Sequence, residues 1–182
     1  MERDEQRLFV LARRAYELSR LYSASRVMFF VAPMVVLALL TNESNAASVF
    51  VVGGVLSILA VGCSFRGQAY GRAVGPGLVA GAIPLVLPWI VRFGGNCCID
   101  GTCSSTCMVA CVCGGLFAGV IVGIGAAGQA RSPVPFALAA SALSGVAGML
   151  GCLHMGVGGV AGMLAALLAS TAPVMVVARA RR

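Results

Sequence analysis

Long apolar runs separated by short polar interruptions set the pattern of this chain. Six runs, at 27–41, 47–63, 73–91, 107–127, 134–153 and 156–178, contain no Asp, Glu, Lys or Arg. A helix needs about 20 mainly apolar residues to cross a hydrocarbon core of about 30 Å. Most of the runs approach that length, and the short first one is expected to be extended by the helix before it. In hydrocarbon every backbone N–H and C=O must be satisfied internally, which leaves helices as the spanning elements. The pattern predicts an all-α integral membrane protein, a bundle of about six transmembrane helices with a short amphipathic N-terminal helix.

Residues 1–26 follow a different rule. Leu8, Leu11, Ala15, Leu18 and Tyr22 recur at steps of three and four, which places them in one stripe on a helix otherwise covered by charge. The plainer reading of this cytoplasmic juxtamembrane helix is an interfacial lead-in to the first span. The sharper one is a docking helix that lays its stripe into a groove on a cytoplasmic partner. A cleaved signal peptide is not expected, because the charged region is too long and too acidic and no A-x-A end follows the apolar run.

The interruptions are short. A polar turn is expected at 42–46 and a loop at 64–72, which holds Arg66 and Arg72. Further turns are expected at 129–133 and at His154–Met155. The third run contains Pro76, Pro84 and Pro88, so a kinked or broken helix is expected there. Kinked packing and a broken-helix pathway, as in transporters, are both consistent with that. Small residues four apart mark faces where helices approach closely. Gly115, Gly119 and Gly123 form such a ladder, and Gly77 with Gly81 and Gly158 with Gly162 repeat the spacing. Whether the facing helix belongs to the same chain or to a second copy in a homo-oligomer is left open by spacing.

Composition agrees with the pattern. The 182 residues are 59% hydrophobic and 10% charged, with mean hydropathy +0.96, whereas soluble domains carry about 25% charged residues. The formal charge of +7 is the balance of 13 basic residues, all of them arginine, against 6 acidic ones. Direct nucleic-acid binding is not expected, because no basic patch with interleaved aromatics is present. Arg without Lys, alongside much Ala, Gly and Val, suggests a GC-rich bacterial genome.

Arginine placement also predicts topology, because cytoplasmic flanks are positive. With six spans, all the arginines except Arg92 fall on one side. A cytoplasmic (inner) membrane location with both termini cytoplasmic follows, leaving 179–182 as a basic cytoplasmic tail. The Cys-rich loop 92–106 then lies outside. Cys97, Cys98, Cys103 and Cys107 reach that surface, Cys111 and Cys113 lie just below it, and Cys152 and His154 end the fifth span beside it. Cys63 sits alone near the inner face.

Three readings of the outer cluster compete. Structural disulfides suit an oxidising compartment, although seven cysteines leave at least one unpaired in the chain. A metal site is the second reading, since thiolates with imidazole suit zinc, copper(I) or mercury(II). Cys103, Cys107 and Cys111 are spaced to share one helical face, but no zinc-finger spacing is present. The third reading is a redox or metal sensor, in which an opening disulfide shifts the fourth span along its glycine face. No cofactor is required by any motif; a soft metal ion at this cluster is the one candidate.

Two segments carry a family resemblance. A cysteine opens the fourth span in TCMVACVCGGLFAG (Cys107 or Cys111), a Cys/His pair ends the fifth in GMLGCLHMGVGG (Cys152, His154), and the last span runs into arginines. The plan resembles the NrsF-like six-span bacterial membrane anti-sigma factors. That resemblance implies that residues 1–26 capture a sigma factor and that the outer cluster senses the signal. The acidic opening of that family is matched only by ERDEQR.

An enzyme is not expected, because no acidic residue lies within a span and the single histidine has no carboxylate near it in sequence. Ion-coupled transport also leaves ionisable groups inside helices. The sequence therefore points to a non-enzymatic regulator or sensor, anti-sigma-like, in the bilayer. The alternatives are a thiol-based soft-metal transporter and a structural subunit of a membrane complex.

Overall fold

The computed structural model describes residues 2–41, 46–93, 105–130, 132–153 and 156–180, with side chains at all of these except 2–10, 12, 15–21, 23–24, 41, 92–93 and 105–106. The expected polar turn at 42–46, the Cys-rich loop, Arg131 and the His154–Met155 turn therefore lie wholly or mainly outside the described residues. Six helices account for the described chain: α1 (Glu2–Thr41), α2 (Ala46–Arg66), α3 (Gln68–Phe93), α4 (Ser105–Ala127), α5 (Pro133–Cys152) and α6 (Gly156–Ala180).

Five of them, α2 to α6, are long and apolar enough to cross a membrane, and the chain is a multi-pass membrane protein. α1 differs in kind. Its apolar part, Ser25–Leu40, is shorter than the other five. The whole helix has 40 residues and measures about 60 Å at 1.5 Å per residue, twice the thickness of a hydrocarbon core. The N-terminal helix and the first apolar run are thus one continuous rod.

Two local expectations change. The loop anticipated at 64–72 collapses to a one-residue break: α2 runs to Arg66 and α3 starts at Gln68. Gly67 makes this reversal with φ 65°, a left-handed conformation that glycine adopts without a Cβ penalty, and Gln68 follows at φ 47°. Of the kinked and broken forms expected for the third run, α3 excludes the break: it is one helix through Pro76, Pro84 and Pro88. Pro84 is fully buried among glycines of two neighbours. A Cβ at Gly114 of α4 would lie 2.8 Å from Pro84 Cα, and one at Gly148 of α5 would lie 2.8 Å from Pro84 Cγ. The ring occupies the room those glycines leave, so the proline is a packing element inside the helix.

The bundle is built on two parallel seams. α4 runs along α6, and α3 runs along α5. On the first seam, Cβ atoms at Gly115, Gly119 and Gly123 would collide in turn with the backbone of Met163, Leu167 and Thr171. Each four-residue step on α4 thus meets a four-residue step on α6. On the second seam, Gly77 faces Ala140 and Leu143, Gly81 faces Ser144 and Ala147, and Gly151 faces the backbone of Leu85. In lipid the driving force is close backbone packing rather than hydrophobicity, and small residues permit it. The ladders at Gly77/Gly81 and Gly115/Gly119/Gly123 therefore find partners within the chain. A Cβ added at Gly158 would have nothing within 4 Å, and one at Gly162 would meet only Val112 Cγ2 at 3.3 Å; that spacing makes no seam.

α3, α4 and α5 form the interior. Ala73, Ala80, Ala118, Val122, Ala126, Phe136 and Leu167 fill one end of it, and Val49, Leu56, Leu78, Leu143 and Leu150 pack toward the α1–α2 flank. α2 is far less enclosed, with 22% of its apolar stretch buried against 50% for α4. Phe29, Phe30, Phe50 and Ile58 point outward, an apolar surface of the kind a lipid bilayer covers.

Candidate functional site

The helical period puts chemistry and packing on one face of α4. Cys107, Cys111, Gly115, Gly119 and Gly123 are spaced by four, so the cysteines continue the glycine ladder toward the N-terminal end of the helix. Side chains there must fit the same close approach to neighbouring helices. Cys107 and Cys111 are both buried.

Cys111 meets the last residue of α5. The two share one buried cluster, and Cys152 is fully buried. The third member comes from α6. Met163 is fully buried, and its Sδ lies 3.9 Å from Cys152 Sγ. Met149, Val160 and Leu164 pack around the three. The result is a dry cluster of two thiols and a thioether, joined by three helices near one end of the bundle.

Two glycines hold Met163 in place. Its backbone lies directly over Gly115, where a Cβ would collide with the carbonyl, and its Sδ lies 2.5 Å from where a Cβ on Gly148 would stand. A larger residue at Gly148 would push the thioether aside, and one at Gly115 would push the Met163 backbone away from α4. Gly148 of α5 is therefore part of the site as well as of the packing.

The remaining cysteines are placed differently. Cys107 is disulfide-bonded; since Cys63, Cys111, Cys113 and Cys152 are free thiols, its partner lies outside the described residues. Cys113 is half-buried and does not belong to the cluster. Cys63, on α2, packs among the residues of the opposite half of the bundle. Cys97, Cys98, Cys103 and His154 lie outside the described residues. Among the described residues no three His, Cys, Asp or Glu side chains converge as a metal site. The convergence requires counting methionine sulfur.

Met163 is the residue that sequence reasoning passed over. In an apolar span methionine reads as ordinary filler, and the fact that would single it out is its parallel register with Gly115. On the N-terminal stripe, Leu11 and Tyr22 are exposed, with the Arg26 guanidinium 5.0 Å over the Tyr22 ring. The side chains of Leu8, Ala15 and Leu18 lie outside the described residues. A second Arg–Tyr pair, Arg66 over Tyr70 at 5.7 Å, marks the α2–α3 reversal. Comparison with protein-family models, curated proteins and solved structures gives no match.

Proposed function

We propose that the chain is a non-enzymatic regulator of a bacterial cytoplasmic membrane, which senses thiol chemistry at one face and signals to a protein at the other. The observation that carries this reading is the continuity of α4: its cysteines and its glycine seam share one stripe. A bond made or lost at Cys111 alters the packing of α4 against α5 and α6, and the same seam continues to Gly123 and Thr171 near the other end. Interfaces packed this closely have few alternative arrangements, so a local change can favour a discrete shift.

The arginine distribution supports placing the termini in the cytoplasm and the Cys-rich loop outside. The loop cysteines, with the disulfide at Cys107, fit an oxidising exterior. The exposed stripe through Leu11 and Tyr22 suits capture of a cytoplasmic partner by helix-in-groove docking. A sigma factor is the partner the NrsF-like resemblance implies. The test is co-purification from native membranes with and without residues 2–24. The full chain should retain a cytoplasmic partner that the truncated chain loses, while both insert in the membrane. An identical set of bound proteins for both would refute sequestration.

The thioether in the cluster favours a second reading, a soft-metal carrier. Thiol and thioether donors can pass a soft ion through apolar runs that contain no Asp, Glu, Lys or Arg. Uptake of such an ion, lost in Cys111→Ser and Cys152→Ser, would support transport; unchanged uptake would remove it.

A further inference from the structure

We propose that Cys111, Cys152 and Met163 form a binding site for a monovalent soft cation of the copper(I) and silver(I) class. The inference deepens the sensing reading by giving the chemical class of its input, and it concerns the buried trio rather than the loop cysteines.

Donor type comes first. Zinc sites take thiolate, imidazole and carboxylate ligands, whereas thiolate combined with thioether selects copper(I). Spacing agrees. With metal–sulfur bonds of about 2.3 Å, ligand angles between tetrahedral and trigonal separate sulfur atoms by roughly 3.8–4.0 Å. Cys152 Sγ and Met163 Sδ stand 3.9 Å apart. A linear two-coordinate ion would need about 4.6 Å by the same bond length.

Charge agrees with a monovalent ion, which needs only one buried thiol to lose its proton where a divalent ion needs both to do so for the same zero net charge. The apolar runs that bear the three donors hold no Asp, Glu, Lys or Arg, and where Gly148 and Gly151 of α5 approach α3 they meet Pro84 and Leu85. A net charge in such surroundings is costly. A monovalent ion with one thiolate, one neutral thiol and one neutral thioether makes a site of zero charge. On binding, one S–H bond of the two cysteines breaks and a metal–thiolate bond replaces it, while the other thiol sulfur and the thioether sulfur each donate a lone pair to the ion. The proton leaves to water, and the oxidation state of the metal is unchanged. Cys152 S–H donates to Met163 Sδ, so these two sulfurs already face each other before an ion binds. Packing preorganises the third donor: Gly115 and Gly148 fix Met163, so little ordering remains for the ion to drive.

The test uses the purified full chain in detergent under anaerobic conditions, with copper(I) delivered against a chromophoric copper(I) chelator. A parallel arm adds silver(I), then opens the chain in SDS and maps by mass spectrometry which thiols the bound ion withholds from alkylation, with the silver-free chain treated alike as the reference. Protection of Cys111 and Cys152, with Cys63 left reactive, is expected. Met163→Leu keeps the volume and should weaken copper(I) binding at least about tenfold, a loss typical even of residues that only support a metal ligand. Gly148→Ala should weaken it by displacing the thioether while every donor atom is retained. Cys63→Ser should bind as the parent does, and a monodisperse elution profile certifies folding of each variant. Unprotected Cys111 and Cys152, or parental affinity in Met163→Leu, overturns the site and assigns any bound copper to the loop. Preferential protection by mercury(II) or zinc(II) overturns the valence argument. No partner protein is in the assay, so a negative result here leaves sequestration standing, and failed co-purification leaves the metal site standing.

Discussion

The four helices α3–α6 and the α1–α2 flank face the same lipid but pack by opposite means. Along α4 and α6, glycine brings backbone against backbone, and Ser170 Oγ reaches across to donate to Leu116 O at 3.1 Å. Between α1 and α2 the closest glycine contact is with a side chain, Gly53 against Val35 Cγ2 at 2.9 Å, a group that rotates or yields. Gly54, its neighbour, has open space. In lipid, apolar side chains gain little by choosing a helix over an acyl chain, so it is the close, small-residue seam that specifies the partner. The sulfur cluster lies on the tight side of this division. A site that must hold three donors in fixed positions needs the rigid half.

The largest expected difference between the halves concerns cavities. Phe136 is fully buried between α4 and α5, with its ring beside Gly125, whereas Phe50 on α2 is 63% exposed. Phe136→Ala leaves a void that tightly packed neighbours cannot refill, costing about 3–5 kcal/mol by analogy with buried aromatics elsewhere. Phe50→Ala exchanges ring–lipid for methyl–lipid contact and should stay within about 0.5 kcal/mol, as surface changes do. Thermal unfolding in detergent measures both. Comparable losses would mean that the α1–α2 flank is as closely packed as the rest.

Added volume sharpens the contrast, because it should change sign. A Cβ at Gly119 would collide with Ser170 Oγ and the carbonyl of Leu167, while Gly54 has nothing within 4 Å. Gly119→Ala should destabilise by about 1–3 kcal/mol, the usual cost of overpacking. Gly54→Ala should be neutral or stabilising, since alanine is the better helix former by up to about 1 kcal/mol. Equal midpoints for the two variants would show that α4 and α6 do not touch along this stripe.

Much of the fold was legible because a bilayer simplifies the code: apolar length marks a helix, and glycine at intervals of four marks a seam. The runs at 107–127 and 134–153 agree with α4 and α5 closely for that reason. What escaped was what depends on contacts between distant segments. Pro84 reads locally as a helix breaker, yet Gly114 and Gly148, far along the chain, accept its ring. The 64–72 stretch reads as a loop because of its two arginines, yet Gly67 and Gln68, both at positive φ, suffice to reverse the chain. The grouping of Cys111 with Cys152 could be reached by counting spans, but Met163 could not. Its role depends on α4 and α6 running parallel in register, and no local pattern encodes the register of helices that are not neighbours in sequence.

The smallest effect tests the finest part of the comparison, a single hydroxyl. Ser170 Oγ donates across the seam to Leu116 O and also lies 2.9 Å from Ala166 O within its own helix. Ser57 Oγ, on the flank, donates only to Gly53 O, 2.8 Å away in the same helix. Removing Ser57 frees a carbonyl that still keeps its helical N–H partner, so little should change. Removing Ser170 also takes away an interhelical bond, and such bonds in membrane proteins average about 0.6 kcal/mol. Ser170→Ala should therefore lower the unfolding midpoint slightly but reproducibly more than Ser57→Ala. The difference should vanish in a Gly119→Ala background, where the added methyl already pushes Ser170 aside. Persistence of the full difference there would mean that the hydroxyl acts within α6 alone, and that backbone proximity by itself holds α4 against α6.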